Sequence, residues 1–146
     1  MAAEEERANA TLKLRIKEHY DKCSTYYQQL WGQHIHHGLW RPGNEGLTKE
    51  EAQEALVDSL LDAAELPERS KVLDVGCGVG GTSIKLALAG HQVTGVSLSG
   101  EQIAMATTNA ATAGATVRFL EMDGEALSFP GEDGSFDAVW ISEGQW

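Results

Sequence analysis

The chain contains 146 residues, of which 42% are hydrophobic, and this length and composition predict a single domain with a buried core. Its formal net charge of −11 disfavours nucleic acid and anionic membranes as partners, because both are negatively charged. The N-terminus lacks the apolar core of a signal peptide, no apolar run approaches the length of a membrane span, and the cysteines form no disulfide framework. These features predict a cytoplasmic protein without an integral membrane segment.

The N-terminal third is predicted to combine helices with an aromatic segment. Good helix formers and apolar residues at helical spacing predict a helix over residues 4–22. An aromatic and histidine-rich segment follows at residues 26–40. Thr48, with Glu51 three residues later, forms a capping box, which predicts that another helix begins there and runs to about residue 65.

From residue 71 onward, strand patterns alternate with helix patterns. Four strands are predicted, at residues 71–75, 92–96, 116–121 and 136–142. Two helices separate the first three strands, at residues 81–89 and 99–113, and Ser99 with Gln102 forms a second capping box. This order predicts a parallel sheet with right-handed crossovers, in an α/β fold of the Rossmann-like, doubly wound class. Because the chain stops soon after the fourth strand, we expect the sheet to be truncated there.

A glycine-rich turn joins the first predicted strand to the next helix. Its glycines stand at positions 76, 78, 80 and 81. Glycine permits a tight turn and a close approach of the backbone to a ligand, and the helix that follows offers free N–H groups at its start. The spacing fits both the dinucleotide pattern G-x-G-x-x-G and the pattern D-x-G-x-G-x-G, so the glycines alone leave two classes of cofactor open.

Asp74, just before this turn, separates the two patterns. A pyrophosphate gains nothing from a carboxylate at the strand end, whereas a cationic amino group does. Dinucleotide sites also usually carry an acid for the ribose about 20 residues past the glycines, and here Ser97 ends the second strand instead. Both observations favour S-adenosylmethionine, which carries an ammonium and a sulfonium group and no phosphate, over a nicotinamide dinucleotide.

Several motifs occur together in the order and spacing of one family. They are residues 19–24 (HYDKCS), 31–38 (WGQHIHHG), the glycine turn, 93–99 (VTGVSLS) and 123–130 (DGEALSFP). On these motifs the chain resembles the N-terminal half of a class I S-adenosylmethionine-dependent methyltransferase. It is most similar to the small-molecule branch that includes tocopherol, sterol and cyclopropane-fatty-acid enzymes.

The resemblance implies S-adenosyl-L-methionine as the cofactor. The residues expected to bind it are Tyr20, Asp74, Gly76, Cys77, Gly78, Gly80, Ser97, Leu98, Gln102, Asp123, Gly124 and Glu125. Asp74 and the turn would hold the methionine half, and Ser97 with Leu98 would lie beside the ribose. Gln102 either reaches the ribose or only completes its capping box. Asp123 would accept from the adenine amino group, with the backbone of Gly124 and Glu125 nearby.

The N-terminal segment, residues 1–47, has two interpretations. It either covers the cofactor as an aromatic lid, with Tyr20 as the best candidate, or docks an aromatic helix face on the core. Residues 48–146 would then form the Rossmann-like cofactor-binding domain, here incomplete. The histidines at positions 34, 36 and 37 have no cysteine or clustered carboxylate beside them, so no metal site is predicted.

The sequence therefore predicts methyl transfer to a small-molecule acceptor. Glu143 follows the fourth strand, where this branch often has an acid, and it is the candidate catalytic residue. The alternatives are a noncatalytic cofactor-binding fragment and a nicotinamide-dependent Rossmann enzyme. We also expect self-association through the exposed edge of a truncated sheet.

Overall fold

The fold is described from a computed structural model, which describes residues 2–130 and 134–142. In chain order the elements are α1 (Ala2–Trp31), α2 (Lys49–Ala64), β1 (Lys71–Val75), α3 (Gly81–Leu88), β2 (Gln92–Ser97), α4 (Gly100–Ala113), β3 (Val117–Glu121) and β4 (Ala138–Ile141). None of the helices in the described ranges combines the length and hydrophobicity needed to cross a bilayer.

The four strands form one parallel sheet in the order β3-β2-β1-β4. Asp74 of β1 lies opposite Gly95 of β2 on one side and Trp140 of β4 on the other. The chain adds strands outward on one side from β1 to β3 and then places β4 on the opposite side of β1. A crevice forms outside the carboxyl end of such a strand, where α/β sheets bind their ligands. The predicted fold class is confirmed.

Both faces of β1 are buried, because successive side chains of a strand point to opposite faces of the sheet. On one face Val72 belongs to a cluster with Val57 of α2, Leu86 of α3 and Trp140 of β4. On the other face Leu73 belongs to a second cluster, which also includes Phe129 from the loop after β3. This double burial holds the carboxyl end of β1 rigidly at the crevice.

Helix α1 is longer than the sequence pattern predicts. It continues into the aromatic segment as far as Trp31. The next residue, Gly32, has a φ of +79° and stops the helix. No glycine or proline interrupts the chain between residue 22 and Gly32, so nothing stops the helix earlier. The aromatic side chains of residues 26–31 therefore extend one helix and do not start a separate segment.

The two predicted capping boxes differ in the structure. At Thr48 both hydrogen bonds of the box are present, so that prediction is confirmed. At Ser99 the side chain accepts from the backbone N–H of Gln102, but the Gln102 side chain does not return the bond. The Ser99 backbone N–H donates to the Ser97 hydroxyl at 3.2 Å instead, so this box is only half formed.

Candidate cofactor site

A cleft lies at the carboxyl ends of β1, β2 and β3, where the glycine turn, α1 and the segment after α1 meet. The residues expected from the sequence that line it are Tyr20, Asp74, Gly76, Cys77, Gly78, Ser97, Leu98, Gln102, Asp123, Gly124 and Glu125. The structure adds to this lining Lys13, Ile16, Gln33, His34, Ile35, His36, Val79, Gly81, Thr82, Val96, Met122 and Ser142. The topology thus brings together side chains that are more than 100 residues apart.

Among the expected cofactor-binding residues, all of which lie in the described part of the chain, Gly80 alone does not line the cleft. Its φ is +91°, and a Cβ there would lie 3.0 Å from the Ala106 and Phe119 side chains. Its neighbour Gly81 does line the cleft, and a Cβ at Gly81 would overlap the carbonyl oxygen of Gln33. Gly80 therefore packs the turn against α4 and β3, while Gly81 lets the segment after α1 approach the start of α3.

Asp74 places a buried carboxylate at the floor of the cleft. The side chain is only 3% exposed, and its Oδ2 accepts one hydrogen bond, from the Ser83 hydroxyl at 2.6 Å. Burial raises the pKa of Asp74 to about 6, although the Ser83 bond acts in the opposite direction. A buried carboxylate with a single neutral partner is poorly compensated, and a cationic ligand group would stabilise its charged form.

Residues Ser97–Ser99 orient the amide of Gln102. We call them the ribose-end turn, after the ribose contact that the sequence analysis predicts for Ser97. The Ser97 hydroxyl accepts from the Ser99 N–H at 3.2 Å and donates its own proton to Gln102 Oε1 at 2.7 Å. With Oε1 engaged in this way, the NH₂ group of the Gln102 amide is left as the donor. Gln102 is 5% exposed and lines the cleft, so this amide is held in place beside it.

Beside the end of β3, Asp123 contacts a lining residue, Lys13, that the sequence analysis does not identify. Its Oδ2 accepts from the Lys13 ammonium at 2.6 Å, and its Oδ1 accepts from the Glu125 N–H at 2.9 Å. The Lys13 bond, opposed by burial, lowers the pKa of Asp123. Lys13 also pairs with the Glu125 carboxylate at 2.6 Å. The sequence does contain a signal for Lys13: it lies four residues before Lys17, on the same face of a helix, in a chain with a net charge of −11.

Two histidines from the segment after α1 form a buried pair at the wall of the cleft. His36 Nε2 lies 3.2 Å from His34 Nδ1, and His34 Nε2 lies 2.8 Å from a carboxylate oxygen of Glu54. Gln53 donates to the backbone carbonyls of both histidines at 2.7 Å. Burial lowers the pKa of His34, while Glu54 opposes that shift. These contacts attach the segment to α2, so the histidines serve its packing.

Tyr20 lies on the face of α1 that lines the cleft, half-buried among aromatic neighbours. Its ring centroid is 5.4 Å from that of His19 and 6.5 Å from that of Tyr27. Burial is the main cause that raises the pKa of its hydroxyl. The candidate catalytic residue Glu143 lies outside the described residues.

Comparisons with known proteins give the family. A family model described as a methyltransferase domain matches residues 72–146. The chain is 37% identical to the 27-O-demethylrifamycin SV methyltransferase of Amycolatopsis mediterranei (strain S699), over 88% of this chain and 47% of that protein. It is 35% identical to the chloroplastic tocopherol O-methyltransferase of Arabidopsis thaliana, over 93% of this chain and 43% of that protein. The crystal structure of the cyclase SpnF aligns with a TM-score of 0.76 and 30% identity, over 86% of this chain and 47% of that one.

The fold and the cleft define a Rossmann-like cofactor-binding domain with its site at the switch point of the sheet. The chain belongs to the S-adenosylmethionine-dependent methyltransferase family, and its cofactor is S-adenosyl-L-methionine. The resemblance inferred from the motifs is therefore confirmed. The chain spans less than half the length of these curated relatives.

Proposed function

We propose that this chain forms the cofactor-binding part of an enzyme that transfers a methyl group from S-adenosyl-L-methionine to a small-molecule acceptor. The observation that carries the proposal is the buried, singly hydrogen-bonded carboxylate of Asp74 beside the glycine turn. The relatives named after rifamycin and tocopherol support an acceptor of this class. The cofactor supplies an electrophilic methyl group on a sulfonium.

The side chains of the cleft fit the parts of this cofactor. Asp74 offers a carboxylate to the ammonium of the methionine half, and the Gln102 amide offers N–H groups to a ribose oxygen. Asp123 offers a carboxylate to the adenine amino group. Tyr20 and Ile16 of α1 line the same cleft and would exclude water, which strengthens the polar contacts inside. Glu143 remains our proposal for the residue that faces the acceptor.

The remaining expectations are proposals of the same kind. We propose a cytoplasmic location and a main domain that begins near residue 48, with the N-terminal segment as its lid. Val139 and Ile141 of β4 are 58% and 57% exposed, and this apolar face supports self-association.

A second candidate function is cofactor binding without methyl transfer, because a structure of this fold with 30% identity is named a cyclase. An assay with labelled methyl groups and candidate acceptors separates the two.

The cofactor assignment is tested by calorimetry with S-adenosylhomocysteine and NADH. We expect S-adenosylhomocysteine to bind and NADH to show no measurable affinity, because Asp74 would repel a pyrophosphate and Ser97 replaces the usual ribose acid. Affinity for NADH together with none for S-adenosylhomocysteine would overturn the proposal.

The role of Asp123 is tested by comparing Asp123→Asn with Lys13→Met. The Asp123 carboxylate can accept charge-assisted hydrogen bonds, and losing one such bond to the ligand costs about 1.5–3 kcal/mol of binding free energy. Asp123→Asn is therefore expected to weaken S-adenosylhomocysteine binding about tenfold. Lys13→Met removes the ion pair and leaves the acceptor, so its dissociation constant should stay within about threefold of the parent value. Equal losses in both variants would show that the ion pair, and not an adenine contact, sets the affinity.

A further inference from the structure

Helix α1 contacts the ribose-end turn through two side chains that lie one helical turn apart. The Asp21 carboxylate accepts a hydrogen bond from the Ser99 hydroxyl at 2.6 Å and a longer one from the Glu101 N–H at 3.4 Å. The Lys17 ammonium donates to the carbonyl oxygen of Leu98 at 3.2 Å and lies 3.6 Å from the Asp21 carboxylate. Helix α1 thus holds both a side chain and the backbone of this turn.

The Ser99 hydroxyl connects Asp21 to Gln102. Because this hydroxyl donates its proton to Asp21, its oxygen accepts from the Gln102 backbone N–H, at 3.1 Å. The Ser99 N–H donates to the Ser97 hydroxyl, which in turn donates to Gln102 Oε1. A continuous chain of hydrogen bonds therefore runs from the carboxylate on α1 to the amide beside the cleft.

The charge of Asp21 suits this position. Burial opposes ionisation, but the bonds from Ser99 and Glu101 and the charge of Lys17 together lower the pKa of Asp21. The carboxylate lies at the N-terminus of α4, where the helix dipole favours a negative charge. Asp21 is therefore ionised at neutral pH, and its acceptor capacity is always available to Ser99.

Helix α1 also reaches the glycine turn through α4. The Gln28 amide donates to Asn109 Oδ1 at 3.0 Å, and the Asn109 amide donates to the carbonyl oxygen of Val79 at 2.9 Å. The glycine turn and the ribose-end turn are thus both connected to α1 by hydrogen bonds.

We propose that Asp21 is a positioning residue for cofactor binding, which acts through Ser99 to hold the ribose-end turn and the Gln102 amide in their binding arrangement. This inference rests on the proposed function, because it takes the cleft as the cofactor site. It assigns α1 a role beyond covering the cleft, because the helix would hold the ribose-end turn and the Gln102 amide in position in the ligand-free protein.

The test is a double-mutant cycle with Asp21→Ala and Ser99→Ala, read by calorimetry with S-adenosylhomocysteine. Each single variant is expected to weaken binding about tenfold, since each loses a hydrogen bond to a charged group. The double variant should bind no more weakly than the weaker single variant, because both changes break the same link. Asp21→Asn keeps an acceptor oxygen for Ser99 and should restore affinity to within about threefold of the parent. Lys22→Ala, on the exposed side of α1, is the matched control.

Hydrogen exchange in the ligand-free protein gives a second readout. The amides of Glu101 and Gln102 should exchange faster in Asp21→Ala than in the parent or in Lys22→Ala. Parent affinity and parent exchange in Asp21→Ala, or additive losses in the cycle, would overturn the inference. If the parent binds no S-adenosylhomocysteine, the proposed function fails, and the exchange comparison still decides whether Asp21 holds the turn. If Asp21→Ala does not fold, Ser99→Ala decides the matter, because it removes the same hydrogen bond from the other side. Weaker binding with faster exchange at Glu101 and Gln102 would support the inference, and parent binding with parent exchange would overturn it.

Discussion

Asp74→Asn is expected to weaken S-adenosylhomocysteine binding by at least about tenfold while removing a pH-dependent cost to the stability of the ligand-free protein. The carboxylate is buried with one neutral hydrogen-bond donor, so it is costly when ionised without ligand. The same carboxylate is the group that a ligand ammonium would stabilise. Calorimetry gives the loss of affinity, at about 1.4 kcal/mol for each factor of ten.

The sign of the pH effect follows from the pKa of Asp74, which burial raises from 3.8 to about 6 in the folded chain. Between these values the folded state binds more protons than the unfolded state, so the free energy of unfolding falls as pH rises. The stabilisation is complete below about pH 4 and is lost above about pH 6, and its size is about 3 kcal/mol. The difference in unfolding free energy between parent and Asp74→Asn, measured in urea across this range, should show this trend.

The affinity for S-adenosylhomocysteine should change with pH in the opposite direction and increase as pH rises. As pH falls through about 6, Asp74 becomes neutral in the free protein, and the affinity of the parent should approach that of Asp74→Asn. Asp62→Asn, on the exposed surface of α2, is the control for loss of one negative charge. An Asp74→Asn variant with the affinity and the pH dependence of the parent would contradict both roles of this carboxylate.

Gly81→Ala is expected to destabilise the protein by about 1–3 kcal/mol, as overpacking of a close contact does. A methyl group at this position would overlap the carbonyl oxygen of Gln33 and lie 2.7 Å from His34 Nδ1. Gly81 begins α3, where alanine is otherwise the better helix former, so the clash alone accounts for the loss. Urea unfolding measures the stability, and weaker S-adenosylhomocysteine binding should accompany it, because residues 33–36 line the cleft.

Gly46→Ala is the matched control for this substitution. A Cβ at Gly46 would meet nothing within 4 Å, so its free energy of unfolding should not fall below that of the parent. If Gly81→Ala were as stable as the parent, the segment after α1 would not pack against the start of α3 as described.

Much of the fold could be predicted because its determinants are local. Hydrophobic strands, the Thr48 capping box and the glycine turn each depend on residues a few positions apart. The end of α1 was missed because aromatic residues have weak helix propensity, and the helix stops only where Gly32 adopts a positive φ. The half-formed box at Ser99 was missed for another reason, since the Gln102 side chain takes Ser97 as its partner.

The sequence by itself determined the strand–turn–helix unit, the position of Asp74 and the family, because spacing along the chain carries that information. The tertiary structure decided which side chains meet across the cleft: Lys13 with Asp123, Asp21 with Ser99, and His34 with Glu54. These partners lie between 20 and 110 residues apart, and only the packing of α1 and α2 on the α/β core brings them within hydrogen-bond distance. Spacing on one element specifies a face, but the partner of that face depends on how the elements pack.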